Sequence, residues 1–257
     1  MKSYFDLTGR TALVTGGSSH IGKHMSAALG NQGASVVLLA RDEERVHQAA
    51  EDIRTKYDIQ VQAVSCDISD PDEVDETIRG ILTRQGAIDI LVNNAGTGFT
   101  APAEEVTDAQ FEGEMDVDLF GTFRVTRAVA KYAMIPKGYG RIINISSVFG
   151  LVGNMIGRQL PYEATKGALV NMTRALAAEW SQYGITVNCV CPGYFKTPYT
   201  APSLETADFK AYSQLVIPEE RYGEEGELDT TVIYLSSPFS SYVTGVSIPV
   251  DGGFTAL

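Results

Sequence analysis

Tyr162 and Lys166 stand four residues apart, so on a helix their side chains share one face, a turn from each other. A phenol beside an ammonium is an acid–base pair. The phenol alone, with a reference pKa of about 10, is a poor base at neutral pH. A neighbouring positive charge favours the phenolate and brings it into range. The pair can then give a proton to a carbonyl oxygen or take one from an alcohol. Ser147, fifteen residues upstream, offers a hydroxyl that could hold the same oxygen. Taken alone, such a pair reads as two surface residues of an amphipathic helix. Its company decides.

That company is a set of polar and glycine-rich punctuations, each closing an apolar run. Thr11–Thr15 leads into Gly16-Gly17-Ser18-Ser19-His20-Ile21-Gly22, a turn small enough to bring backbone N–H groups to a pyrophosphate at a helix start. Asn93-Asn94-Ala95-Gly96 ends the run Ile88–Asn93, Asn144-Ile145-Ser146-Ser147 ends Arg141–Ser146, and Pro192-Gly193-Tyr194-Phe195-Lys196-Thr197 follows Thr186–Val190. Val36–Ala40, Val61–Ser65 and Val246–Val250 complete the strand-like runs. Between them lie helix-length amphipathic stretches such as Glu43–Tyr57, Pro71–Gln85 and Tyr162–Tyr183. Strand and helix alternating from end to end predict a parallel sheet with helices on both faces, and such sheets bind ligands at their carboxyl edge. The stretch Pro192–Pro218, with prolines at 192, 198, 202 and 218, is expected to be a long irregular loop on that edge. Phe209 and Tyr212 within it suggest a lid that packs down.

Composition narrows the function. A net charge of −12 repels nucleic acid phosphates and anionic lipid surfaces, so neither is an expected partner. No apolar run approaches the roughly 20 residues of a membrane span. Residues 1–9 lack the long apolar core of a secretory signal, which leaves the cytoplasm as the expected location. Three cysteines, Cys66, Cys189 and Cys191, do not make a disulfide framework; they read as buried small side chains, and no metal site is expected.

The ordered set of glycine turn, Asn-Asn-Ala-Gly, Ser, Tyr-x-x-x-Lys and Pro-Gly resembles the short-chain dehydrogenase/reductase family over about Leu7 to Phe254. The resemblance implies a single Rossmann-type, doubly wound α/β domain over 1–257, with a seven-stranded parallel sheet, a substrate lid at about 192–218 and assembly as a homotetramer. It implies hydride transfer between a nicotinamide cofactor and an alcohol or ketone, with Ser147, Tyr162 and Lys166 catalytic. The cofactor would be held by Gly16, Ser18, Ser19, His20, Ile21, Arg41, Asp67, Ile68, Asn94, Ala95, Gly96, Tyr162, Lys166, Pro192, Gly193, Phe195 and Thr197.

Two positions depart from the family pattern. His20 replaces the middle glycine of the turn, so its side chain must point away from a pyrophosphate or donate to it. Asp118 stands where the family carries a catalytic asparagine; a carboxylate accepts but cannot donate, and close to Tyr162 it would oppose phenolate formation. The Ser147–Tyr162 interval is also longer than is usual.

Ala40 ends the second strand where an acidic residue would bond a ribose 2′-hydroxyl, and Arg41 beside it can pair with a 2′-phosphate. NADP(H) is therefore favoured over NAD(H), although Asp42, Glu43 and Glu44 weaken the argument. Arg158 and Lys196 could hold a substrate carboxylate, which fits a sugar acid or polyol and a resemblance to the gluconate 5-dehydrogenase-like branch. A 3-oxoacyl or small-ketone reductase is the alternative enzyme. A non-catalytic dinucleotide-binding sensor is the alternative of another class, motivated by His20 and Asp118 and opposed by the intact Ser, Tyr and Lys.

Overall fold

The computed structural model describes residues 3–154 and 157–256; Met1, Lys2, 155–156 and Leu257, which the expected 1–257 span includes, lie outside the described residues. Strands β1 (Thr11–Thr15), β2 (Ser35–Ala40), β3 (Val61–Ser65), β4 (Ile90–Asn93), β5 (Gly140–Ile145), β6 (Ile185–Pro192) and β7 (Ser247–Val250) form one seven-stranded sheet. Its order is β3-β2-β1-β4-β5-β6-β7, and every pairing is parallel. The order reverses between β1 and β4, where Thr15 pairs with both Leu39 and Asn93 and the strand ends stand flush.

The runs of β1, β4, β5 and β6 are strands buried on both faces. Ala12, Val14, Leu38, Val92 and Ile143 face helices α1 (His20–Asn31), α2 (Glu43–Tyr57) and α10 (Asp229–Ser236). Leu13, Val37, Leu91 and Ile142 face α3 (Pro71–Gln85), α5 (Thr122–Val129) and α7 (Leu160–Trp180). Caps set the helix ends that the sequence marks. Asp42 accepts the Arg45 amide at the start of α2. Asp70 accepts the amides of Asp72 and Glu73 ahead of α3, and Gly86 closes α3 at φ 75°.

The remaining helices are α4 (Asp108–Met115), α6 (Ile135–Lys137), α8 (Ala201–Leu204) and α9 (Ala207–Val216). α4 runs into α5 through a π-helical turn, Asp116–Gly121, and the extra residue of that turn carries Asp118 into the interior.

The stretch from Pro192 to Pro218 departs from expectation: it is not irregular but holds α8 and α9. Pro202 sits in the first turn of α8, where a missing N–H costs nothing, and Thr206 Oγ accepts the Phe209 amide to start α9. The prolines mark helix starts and stops rather than an absence of helix.

Candidate active site

Four strand ends meet at the switch between β1 and β4. In the turn after β1, Gly16 has φ 62° and a Cβ there would lie 2.9 Å from the Ala95 Cα. A Cβ on Gly22 would lie 2.3 Å from the Gly16 carbonyl oxygen. Both positions therefore demand glycine. Ser19 caps α1 by accepting the Gly22 amide at 3.1 Å. The first amides of the helix, at His20 and Ile21, have no carbonyl one turn upstream to bond and remain donors for an anion. This cradle fits a dinucleotide pyrophosphate.

The Asn94 side chain braces the turn: its Nδ2 donates to the carbonyls of Thr15 and Gly16 and to Ser19 Oγ, each at 3.2 Å. Ala95 donates its amide to Thr15 Oγ1. Asn93 ties β4 to Asn144 and Thr126, and Asn144 reaches Thr173 of α7, a buried ladder that fixes α5 and α7 to the sheet.

Tyr162 and Lys166 lie in the first two turns of α7. Ser146 Oγ donates to the Lys166 carbonyl at 2.8 Å, and a Cβ on Gly150 would come within 2.6 Å of that carbonyl, so strand end and helix are locked together. Lys166 Nζ is buried, 5.3 Å from the centre of the Tyr162 ring, 3.3 Å from the Ile145 carbonyl and 3.4 Å from Asp118 Oδ2. Burial pushes this ammonium down, but Asp118 and then Tyr162 outweigh it, and its pKa is raised overall.

Asp118, fully buried, also accepts the Thr97 amide on Oδ1 at 2.7 Å. An asparagine could serve Thr97 equally well but would leave Lys166 without a counter-charge. Gly96 borders this pair, since a Cβ there would lie 2.8 Å from Asp118 Oδ2. Ser147 is buried, and its Oγ accepts the Phe149 amide at 3.2 Å, which leaves its own proton to donate.

The outer residues divide. Arg41 is 75% exposed and 3.9 Å from Asp67, whose carboxylate also takes the amide and hydroxyl of Ser69. Ile68 is buried against Gly121. Pro192 ends β6, and Gly193 lies so close to Asp251 that a Cβ would be 2.8 Å from its Cα. The Phe195 ring is buried against Gly223, while Thr197 and Thr200 bond each other. Lys196 is paired with Glu205 at 2.8 Å. Arg158 is exposed at φ 45°, its carbonyl bonded to the Ala101 amide. Ser18 stands in the phosphate turn. His20 turns from it toward His24, ring centres 4.8 Å apart. From the other side, Phe209 and Tyr212 of α9 pack edgewise on Tyr194.

One residue of the site was not anticipated from the sequence. Glu114 lies one turn before Asp118 and is 4% exposed, and neither of its carboxyl oxygens is hydrogen-bonded among the described residues. Burial, and then the Asp118 charge, push its carboxyl up to about 7 against the pull of Lys166. A Cβ on Gly98 would lie 3.5 Å from Tyr162 Cδ2 and 3.8 Å from Glu114 Oε1, so Glu114 borders the tyrosine. The available signal was its place four residues before Asp118. Among Asp108, Glu112 and Asp116 it reads as one more solvated charge.

Known proteins resemble this chain over nearly its whole length. Residues 16–255 match the family described as enoyl-(acyl carrier protein) reductase. Gluconate 5-dehydrogenase of Gluconobacter oxydans (strain 621H) is 36% identical over 253 residues, 98% of this chain and 96% of that protein. The chain is a member of the short-chain dehydrogenase/reductase family.

Galactitol 2-dehydrogenase of Rhizobium johnstonii is also 36% identical, over 98% of this chain and 97% of its own. The crystal structure of a gluconate 5-dehydrogenase from Burkholderia cenocepacia J2315, in complex with NADP and tartrate, superposes with a TM-score of 0.93 at 36% identity, covering 99% of this chain and 98% of that one. This short-chain dehydrogenase/reductase is an NAD(P)-dependent oxidoreductase acting on CH–OH groups, transferring a hydride between a nicotinamide cofactor and an alcohol or ketone. Among the described residues no helix is long and apolar enough to cross a membrane.

Proposed function

We propose that the protein interconverts a sugar acid or polyol and its ketone with NADP(H), as a cytoplasmic homotetramer. The carrying observation is the buried Lys166 ammonium against the Tyr162 ring, at the strand edge that also forms the dinucleotide cradle. Tyr162 gives the proton to the substrate oxygen in reduction and takes it in oxidation. Ser147 donates a hydrogen bond to that oxygen, and Lys166 holds the tyrosine poised and bonds a ribose hydroxyl. The nicotinamide, when bound, supplies or accepts the hydride.

Gly16, Ser18, Ser19, His20 and Ile21 hold the pyrophosphate through their backbone, and Asp67 and Ile68 hold the adenine end. Asn94, Ala95 and Gly96 line the floor, and Pro192, Gly193, Phe195 and Thr197 line the nicotinamide side. The 192–218 segment acts as the lid, seated through Phe209 and Tyr212 on Tyr194. With Lys196 held by Glu205, Arg158 is the cation left to meet a substrate carboxylate. The names of the gluconate and galactitol relatives, and the tartrate in the Burkholderia complex, support this substrate class.

A substrate panel tests it: sugar acids, polyols, small ketones and 3-oxoacyl thioesters, each with both cofactors. Sugar acids or polyols with NADP(H) should turn over fastest, and preferred reduction of the thioesters would overturn the reading. Within the same panel Arg41→Ala should raise KM for NADP(H) and leave NAD(H) alone. A charge-assisted bond is worth about 1.5–3 kcal/mol, and at this exposure the low end applies, about tenfold. Equal effects on both cofactors would confine Arg41 to its contact with Asp67.

Asp118 modifies proton transfer. Its carboxylate competes with the Tyr162 phenolate for the Lys166 charge. Asp118→Asn should move the rising limb of the pH profile for alcohol oxidation to lower pH, because the phenolate forms more easily. One pKa unit corresponds to about 1.4 kcal/mol, so even partial coupling is readable. An unmoved profile would limit Asp118 to its bond with Thr97; a shift upward would contradict the sign.

A further inference from the structure

His20 and His24 lie on one face of α1, and their rings meet edge to face. Glu225, from the chain ahead of α10, closes on them: its Oε1 is 3.0 Å from His24 Nε2. One ligand atom from each of these three residues lies within 4.8 Å of the other two. The cavity they border is also lined by Asp229, whose Oδ1 is buried and has no hydrogen-bond partner among the described residues. Two imidazoles and a carboxylate, with an unpartnered buried carboxylate oxygen beside them, have no role in the hydride-transfer chemistry.

We infer that His20, His24 and Glu225 form a binding site for a divalent transition metal of the zinc class. The site had escaped the sequence because Glu225 lies some 200 residues away from the histidine pair. Nitrogen-rich donor sets select zinc, cobalt or nickel, whereas magnesium and calcium take oxygen donors. A tetrahedral ion with bonds of about 2.0–2.2 Å holds its ligand atoms roughly 3.3–3.6 Å apart. The 3.0 Å pair is already near that separation, and Glu225, half exposed on a surface segment, can close the rest.

The fourth position is left to water, which the orphan oxygen of Asp229 can orient as an outer hydrogen-bond acceptor. Lys56 lies 3.9 Å from Glu225 Oε1, but its side chain is 63% exposed and free to swing out. Lys23 is engaged by Asp52 at 2.5 Å. Because His20 stands in the phosphate turn, a bound ion would tie the start of α1 to the segment leading into α10.

The test uses tag-free full-length protein, stripped with a chelator, dialysed and titrated with Co²⁺. Visible d–d absorption of low-coordinate cobalt should appear and saturate at one ion per chain, and Zn²⁺ should displace it. His24→Ala and Glu225→Gln should each weaken binding at least tenfold, while His47→Ala, which removes an exposed histidine on α2, should not. Glu225 is a surface residue, so its variant folds whatever becomes of His24→Ala. No saturable binding in the parent, or binding equally tight in Glu225→Gln and the parent, would overturn the assignment.

Discussion

Tyr162→Phe is expected to abolish most of the turnover while leaving the fold intact. The substitution removes one oxygen. Among the described residues nothing hydrogen-bonds the Tyr162 hydroxyl, and the ring that faces Lys166 at 5.3 Å stays in place. Stability should therefore change by no more than about 0.5 kcal/mol, the usual range for a substitution that breaks no contact. The chemistry should change far more. Without the hydroxyl no group with a mobile proton touches the substrate oxygen except Ser147, whose hydroxyl has no base beside it to accept or resupply a proton. A lost general acid or base costs typically 10²–10⁴ in rate, so kcat should fall by that factor in both directions while KM for the dinucleotide barely moves. Equilibrium unfolding run beside the kinetics separates the two effects. A loss of less than tenfold in a folded variant would remove Tyr162 from the mechanism, and a variant that unfolds would show that the hydroxyl is structural.

The architecture was legible because its signals are local. The central strand runs are mostly apolar, as strands buried on both faces must be, while the edge strands β3 and β7 are only partly buried. Helices α2 and α3 begin and end at Asp42, Asp70 and Gly86. The glycine turn was legible as a run of small residues after a strand: Gly22 is fixed by the Gly16 carbonyl within the turn, and Gly16 by the approach of Ala95 from a distant strand end. The 192–218 segment misled because proline is ambiguous. It breaks a helix in the interior and starts one in the first turn, and Pro202 does the second.

What sequence reading missed depends on contacts between distant segments. Lys196 looked free to hold a carboxylate, and only the fold brings Glu205 to it. His20 looked like a flaw in a phosphate turn; the structure gives it His24 and Glu225 as neighbours. Glu114 was hidden by its acidic surroundings. Periodicity places it on the face of Asp118, but nothing local says that the π-helical turn after α4 rolls that face into the interior.

Glu114 makes the second large prediction, and it needs no substrate. Its carboxyl is pushed from the ordinary 4.5 up to about 7 by burial and by Asp118, with Lys166 opposing. In the unfolded chain it titrates near the ordinary value, so between these two pH values the native state binds more protons than the unfolded state. Stability from this group is then fully present below about pH 4.5 and is lost as pH rises to about 7; above that the slope vanishes. The interval of roughly 2.5 units, at about 1.4 kcal/mol each, sets the loss at about 3 kcal/mol. Glu114→Gln keeps the size and polarity of the side chain and cannot ionise. Denaturant unfolding should show the variant close to the parent at pH 5 and more stable by about 2–3 kcal/mol at pH 8. The comparison across pH isolates the charge, because the cost of burying an unpartnered amide is the same at both values. Asp118 and Lys166 remain in both proteins, so the substitution changes only the Glu114 carboxyl. If the difference between variant and parent is flat from pH 5 to 8, Glu114 titrates as an ordinary carboxylate and water reaches it. If the parent is the more stable at pH 8, the ionised Glu114 carboxylate is paired with Lys166 and the upward push of burial is overcome.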